Sequence, residues 1–200
     1  MRDIIKNKLT DRALVHKVLN GETHAFAVII SYTESLVAQI VFKMISNEED
    51  KRDIAQDIYL KAFQKLDSFR FKSKLSTWIA QIAYNTCINY LEKKKLIFIN
   101  YFQTDQENEA ERFDRIAGFS MDDTESDFSR HELAGILKME INRLPTLYKI
   151  LVTLYYNEEL SFAEIAQITE LPEGTIKSYL YRSRKILREN LLQKYKREEL

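Results

Sequence analysis

The chain has 200 residues, 45% of them apolar, and its 30 Lys/Arg are balanced by 30 Asp/Glu. That length and apolar share support one large or two small globular cores and exclude a low-complexity chain. One cysteine, Cys87, excludes an internal disulfide framework, no apolar run approaches 18 residues, and no cleavable N-terminal signal is visible, so neither an exported scaffold nor a membrane span is expected and the chain is read as cytoplasmic.

Four glycines and two prolines, with apolar residues recurring at helical rather than alternating spacing, predict an all-α protein. A first helix is expected over residues 10–20, with Gly21 as its stop. A second runs from Thr23 to Ser46 and buries Phe26, Ile29, Ile30, Val37, Ile40, Val41, Met44 and Ile45. After an acidic turn at Asn47, Glu48, Glu49 and Asp50, a third helix reaches Leu66 and buries Ile54, Ile58, Ala62 and Phe63. Asp53, Gln56, Asp57 and Leu60 share a different stripe of that helix, which spacing alone reads as solvated surface. A fourth helix extends from about Ser76 to about Lys94 with Ile79, Ile82, Ala83 and Thr86 inward.

The loop before it, Phe69-Arg70-Phe71-Lys72-Ser73-Lys74, alternates aromatic and basic residues, and Trp78 follows. Stacking faces beside cations suit an unpaired nucleic-acid strand. The plain alternative puts Phe69 and Trp78 in the core with solvated cations beside them, and for Trp78 the core reading is preferred.

Zero net charge hides segregation: residues 1–100 carry a net +5, residues 101–160 a net −7 and residues 161–200 a net +2. The acidic stretch from Thr104 to Arg130 lacks an apolar stripe and reads as a linker. It is either a plain tether or an acidic segment that fills a basic channel by charge mimicry. The expected organisation is thus two small helical domains, 1–100 and 131–200, joined by an acidic linker over 101–130.

In the second domain, Ser161 and Glu164 form a capping box and Leu160 and Ile165 a hydrophobic staple, fixing the start of a short helix. Glu170-Leu171-Pro172-Glu173-Gly174 joins it to another helix, giving helix-turn-helix spacing. Ile176, Leu180, Ser183 and Leu187 form that helix's core row. Lys177, Arg182, Arg184, Lys185 and Arg188 supply five cations between Thr175 and Arg188 without one acid, a row suited to phosphates and guanine edges. An ordinary solvated face usually mixes both signs and lacks the paired short helix.

His16, His24 and His131 are scattered, and neither a Cys/His cluster nor a Gly-rich phosphate loop is present, so no metal and no cofactor is expected. Cys87 reads as a buried thiol.

Two blocks together resemble the extracytoplasmic-function (ECF) sigma factors of the sigma-70 family. One is Glu49-Asp50 through Phe63 with Asp53-Ile54-Ala55-Gln56-Asp57, followed by Ser76-Thr77-Trp78-Ile79 through Leu91; the other is Leu144-Pro145 through Leu187 with Gly174-Thr175-Ile176-Lys177-Ser178. The resemblance implies a non-enzymatic promoter-specificity subunit that docks on core RNA polymerase through Asp53, Gln56, Asp57 and Leu60. It implies minus-ten reading on a melted strand by Phe69, Arg70, Lys72, Lys74, Trp78, Ile82, Asn85 and Asn89, with a base turned into a pocket. It implies minus-thirty-five reading on duplex promoter DNA by Thr175, Lys177, Ser178, Tyr181, Arg182, Arg184 and Lys185, and an anti-sigma partner, often membrane-bound in the family. The chain departs from the pattern at Phe71 and Lys72, where many relatives have Gly and an acid, and at Tyr179, where Arg is common. An operator-binding regulator shares the helix-turn-helix but needs a dimer interface and no polymerase, and a recombinase needs a nucleophile among arginines, which no cluster supplies.

Overall fold

A computed structural model describes the backbone over residues 2–99 and 130–194, and side chains over 11–94 and 134–193. Among these residues there is no strand, in agreement with the all-α expectation. The acidic segment 104–129 and the end of the C-terminal run lie outside the described residues.

The first half is built around α2 (His24–Met44), on which α1 (Arg2–Leu19), α3 (Glu48–Gln64) and α4 (Leu75–Ile99) pack. Ile29, Val37, Ile40, Val41 and Met44 recur at helical spacing along α2 and are almost wholly buried. Burying each such side chain contributes roughly 1.5–3 kcal/mol. By length and composition alone α2 could cross a membrane, contrary to the sequence expectation, and its apolar stripe is instead packed among the other three helices. Thr33, buried in the same row, donates its hydroxyl to the Ile29 carbonyl at 2.8 Å and meets the Tyr59 hydroxyl at 3.2 Å. Its polar group is therefore satisfied inside the core.

The helix ends follow local chemistry. Gly21, at φ +93°, closes α1 as the Glu22 and Gly21 N–H groups donate to Lys17 and Val18 carbonyls at 3.0 Å, a left-handed position that glycine occupies without steric cost. Asn47 caps α3 by accepting from the Glu49 and Asp50 N–H groups at 2.8 and 3.2 Å. The acidic run expected as a turn therefore begins the helix, where carboxylates favour the positive end of its dipole. Phe63, expected in the core, is 42% exposed and touches Phe26 edge-on, with ring centroids 5.0 Å apart. It lies at the end of the buried row, one turn past Tyr59 and beside the edge of α2.

The second half contains α5 (Arg130–Asn142), α6 (Thr146–Val152), a π turn over Thr153–Asn157, α7 (Phe162–Thr169) and α8 (Glu173–Lys194). Leu147, Ile150, Leu151, Leu154, Ile165, Ile168, Ile176 and Leu180 make its core. Glu140 of α5 is completely buried, accepting from Arg143 Nη1 at 2.5 Å and from Asn190 Nδ2 of α8 at 3.1 Å. These bonds offset the desolvation of a buried carboxylate.

The halves meet along two seams, α7 on α4 and α6 on α2. At the second seam Lys43 Nζ donates to Asn142 Oδ1 at 2.8 Å. Burial, with Lys149 and Lys138 nearby, holds the Lys43 ammonium below its ordinary pKa.

The start of α4 is fixed from a distance. Asp11, on α1 and only 4% exposed, accepts from the Leu75 N–H at 2.9 Å through Oδ2 and so caps a helix 64 residues away. Burial raises the Asp11 carboxyl above its ordinary value, with the Leu75 bond and Lys74 pulling the other way. A raised folded pKa means the folded chain holds this proton more tightly, so the contribution of Asp11 falls as pH rises through that window. Asp11→Ala, which strands the Leu75 N–H, is predicted to cost about 1–2 kcal/mol, a fall in Tm of roughly 2–8 °C. Asp11→Asn keeps an acceptor without a charge, and in thermal melts at neutral pH it should unfold at or above the wild-type temperature.

Candidate nucleic-acid interface

α8 presents the first candidate surface. Ile176, Leu180, Ser183 and Leu187 are buried as the spacing predicts, so the helix turns Lys177, Ser178, Tyr181, Arg182 and Lys185 outward on one face. Arg184 and Arg188 are exposed beside it, Thr175 is half-buried in the first turn, and Tyr181 is 65% exposed. Lys177 lies 3.8 Å from Glu173 and 5.0 Å from the Phe162 ring centre, and Lys185 lies 3.9 Å from Glu189. These exposed pairs are weak enough to exchange for phosphates. Tyr179 does not join the face: its ring packs on Tyr148 at 5.4 Å, and the Arg182 guanidinium lies 5.9 Å from its centre.

The α7–α8 turn differs from the sequence reading. Expected to span Glu170 to Gly174, it ends before Glu173, so Glu173 and Gly174 lie in the first turn of α8, and its left-handed residue is Glu170, at φ +60°. The predicted capping box of α7 is present, with the Ser161 N–H donating to Glu164 Oε2 at 3.0 Å and the Glu164 N–H to Ser161 Oγ at 3.3 Å.

The second surface is a cleft of about 250 Å³ between α4 and the end of α3. Trp78, Ile82, Asn85 and Asn89, which the family resemblance implied as strand contacts, line it on successive turns of α4. Gln81 and Thr86 join them, with Lys61, Lys65 and Ser68 opposite. Sequence reasoning passed over these five. Gln81 lies three residues from Trp78 and four from Asn85, so the α4 periodicity already carried it; the lysines needed the α3–α4 packing. Asn and Gln amides present both donors and acceptors, an indole supplies a stacking face, and two ammonium groups favour a phosphodiester.

Four expected strand contacts lie elsewhere. Phe69 is only 5% exposed and forms an aromatic cluster with Phe71 and Trp78, at centroid distances of 4.8 and 5.2 Å. It therefore backs the Trp78 ring from inside the core, and Trp78, read as core, is half-buried at the cleft wall. Arg70 reaches the Asp67 carbonyl at 3.5 Å, and Lys72 is exposed outside the cleft. Lys74 pairs with Glu164 of α7 at 2.8 Å. Burial pushes the Glu164 carboxyl upward, but hydrogen bonds from Lys74 and Ser161 outweigh it and hold the group below its ordinary pKa. Phe71 adopts φ +55° under the Arg12 guanidinium, 5.3 Å away. A position where glycine would relax the backbone is thus held by ring packing.

A third surface lies on α3, where Asp53, Gln56 and Leu60 are exposed and Asp57 is half-buried, paired with Lys61 at 2.6 Å. Leu60 is 55% exposed. An apolar side chain flanked by carboxylates suits a protein partner with basic groups around an apolar contact.

Comparison with known proteins accounts for this combination. The profile of sigma-70 region 2 matches residues 29–97, and that of sigma-70 region 4 matches residues 134–187. The ECF RNA polymerase sigma-E factor of Haemophilus influenzae is 33% identical over 93% of this chain and 97% of its own length. The chain is an ECF sigma factor of the sigma-70 family. The sigma factor SigW of Bacillus subtilis is similarly related, 30% identical over 88% of this chain and 94% of its own. Among solved structures, the sigma factor RpoE of Bartonella quintana, in complex with the anti-sigma factor NepR, shares the fold with a TM-score of 0.63. That match has 23% identity and covers 86% of this chain and 98% of the other. In this sigma factor, most of α2, all of α3 and most of α4 fall in region 2, and most of α5, all of α6 and α7 and most of α8 in region 4.

Cys87 sits on the buried side of α4, away from the cleft, and burial pushes its thiol up to about 12. Because the thiolate is the reactive form, the native protein is predicted to resist a thiol reagent at pH 8. One equivalent of thiol should appear only on adding denaturant; prompt native labelling would contradict the buried assignment.

Proposed function

We propose that this sigma factor divides promoter recognition between its two helical units. The domain over 131–200 reads the duplex minus-thirty-five element through the α8 face, with Lys177, Ser178, Tyr181 and Arg182 at base edges and Thr175, Arg184 and Lys185 toward the backbone. The domain over 1–100 captures the melted minus-ten strand in the α4 cleft, where Asn85 and Asn89 hydrogen-bond a base, Trp78 and Ile82 supply apolar contact, and Arg70, Lys72 and Lys74 attract phosphates along the approach. Phe69 acts by holding Trp78. Asp53, Gln56, Asp57 and Leu60 dock on core RNA polymerase, and the 101–130 segment joins the two readers.

The observation that carries this reading is the presence of an exposed cationic helix face in the region 4 match and an amide-and-indole cleft in the region 2 match of one family member. Extruding a base costs a few kcal/mol, and stacking on an aromatic returns about 1–3 kcal/mol per base. Capture therefore offsets melting only when the polymerase holds the promoter in register. The chain supplies recognition and no chemistry of its own, and acts in the cytoplasm where the polymerase is. The complex of the Bartonella quintana relative with NepR supports an anti-sigma partner here as well. An operator-binding regulator would not require the first domain, so the region 2 match disfavours it.

Reconstituted transcription with core polymerase and a promoter library tests the proposal. Promoter-dependent transcripts are expected, and a specific gel shift by the chain alone without any transcript would overturn it. Lys177→Ala and Arg182→Ala should each weaken duplex binding by the holoenzyme. If the lost contact is to a phosphate, the salt slope falls by about 1. Asn85→Ala should instead leave duplex binding intact and lower the yield of open complex, measured by permanganate reactivity.

A further inference from the structure

The α7–α8 turn is largely exposed, yet it also reaches across to the first half. Glu170 lies against α4, where its Oε1 accepts from Gln81 Nε2 at 3.2 Å and from Asn85 Nδ2 at 3.5 Å. Both amides line the cleft. Near the start of α4, the Lys74–Glu164 pair at 2.8 Å ties the other end of α7 to the same helix. A carboxylate oxygen on these amide N–H groups uses the donors that an acceptor on a base edge would need. Its charge also opposes the field with which Lys61 and Lys65 would draw a phosphate.

The backbone supplies a second, independent observation. Glu170 occupies the left-handed region at φ +60°, where glycine is the easy residue, while the chain's nearby glycine, Gly174, lies in α8. At this strained position the side chain places its carboxylate within reach of α4. The contacts it makes are solvent-exposed, and exposed ionic contacts are individually weak, so the arrangement is reversible. At the other seam Lys43 Nζ donates to Asn142 Oδ1 at 2.8 Å, a polar bond between the halves. The cationic face of α8 remains outside both seams and exposed.

Resting on the assignment of the α4 cleft to the melted strand, we propose that the free chain is self-closed, with Glu170, braced by the Glu164–Lys74 pair, acting as an internal competitor for single-stranded DNA. The duplex reader stays available while the strand reader is covered. Docking on a larger partner must part the two halves before a base can enter.

The test measures binding of the full chain, without polymerase, to the fluorescent non-template strand of a promoter that the holoenzyme transcribes. In Glu164→Gln/Glu170→Gly, glutamine preserves the capping box and glycine suits the left-handed turn, so circular dichroism should be unchanged. Strand affinity should rise roughly three- to tenfold, with a larger radius of gyration by small-angle scattering. Glu170→Gly alone, which relieves the turn, should give a smaller gain in the same direction. Adding Asn85→Ala should cancel the gain. Unchanged strand affinity in the folded double variant overturns the competitor, and if Asn85→Ala still weakens binding there, the cleft assignment survives by itself. A gain that persists after Asn85→Ala overturns both.

Discussion

Each of the two helices proposed to read DNA commits one side to a core, and that commitment sets what the other side can touch. Behind the α4 cleft, Ile79, Ala83, Cys87 and Leu91 are buried; behind the α8 face, Ile176, Leu180, Ser183 and Leu187 are buried. With 3.6 residues per turn, these rows fix the azimuth of every intervening residue. Truncating a buried Ile or Leu of either row costs about 2–5 kcal/mol and would also let the reading face roll. Recognition therefore depends first on apolar packing, and only then on cations and amides.

The charge distribution follows the same logic. A chain of zero net charge can still address nucleic acid because attraction is set by local fields within about 10 Å at ordinary salt. The cations of α8 and the lysines beside the α4 cleft lie on described helices, whereas much of the compensating acid lies in 104–129. Of the carboxylates near these surfaces, Glu173, Glu189 and Asp57 lie beside Lys177, Lys185 and Lys61, while Glu164 and Glu170 engage Lys74 and the cleft amides. The packing of α7 on α4 thus gives the two readers a physical connection.

The fold class and most of the core rows were legible because helical periodicity is a local signal. So were the capping box, whose partners lie three residues apart, and the exposed row of α8. What escaped was set by tertiary geometry. Phe69 and Trp78 could not be ranked by composition, since which ring lines the cleft and which backs it depends on the path of the 69–74 loop. Lys61 and Lys65 reach the cleft only because α3 lies against α4. The Asp11 cap spans 64 residues, beyond any local pattern. The left-handed turn at Glu170 was not legible either, because glycine is the residue that usually marks such a position and here the chain departs from that preference.

The central claim is that one half reads paired bases while the other holds a base removed from the stack. Fluorescence of 2-aminopurine, placed in turn at each minus-ten position of a promoter bound by the reconstituted holoenzyme, tests it most directly. The account predicts a rise at one or two positions that Asn85→Ala abolishes while the upstream footprint over the minus-thirty-five element persists. An unchanged rise in Asn85→Ala, or loss of the upstream footprint together with it, would contradict the division.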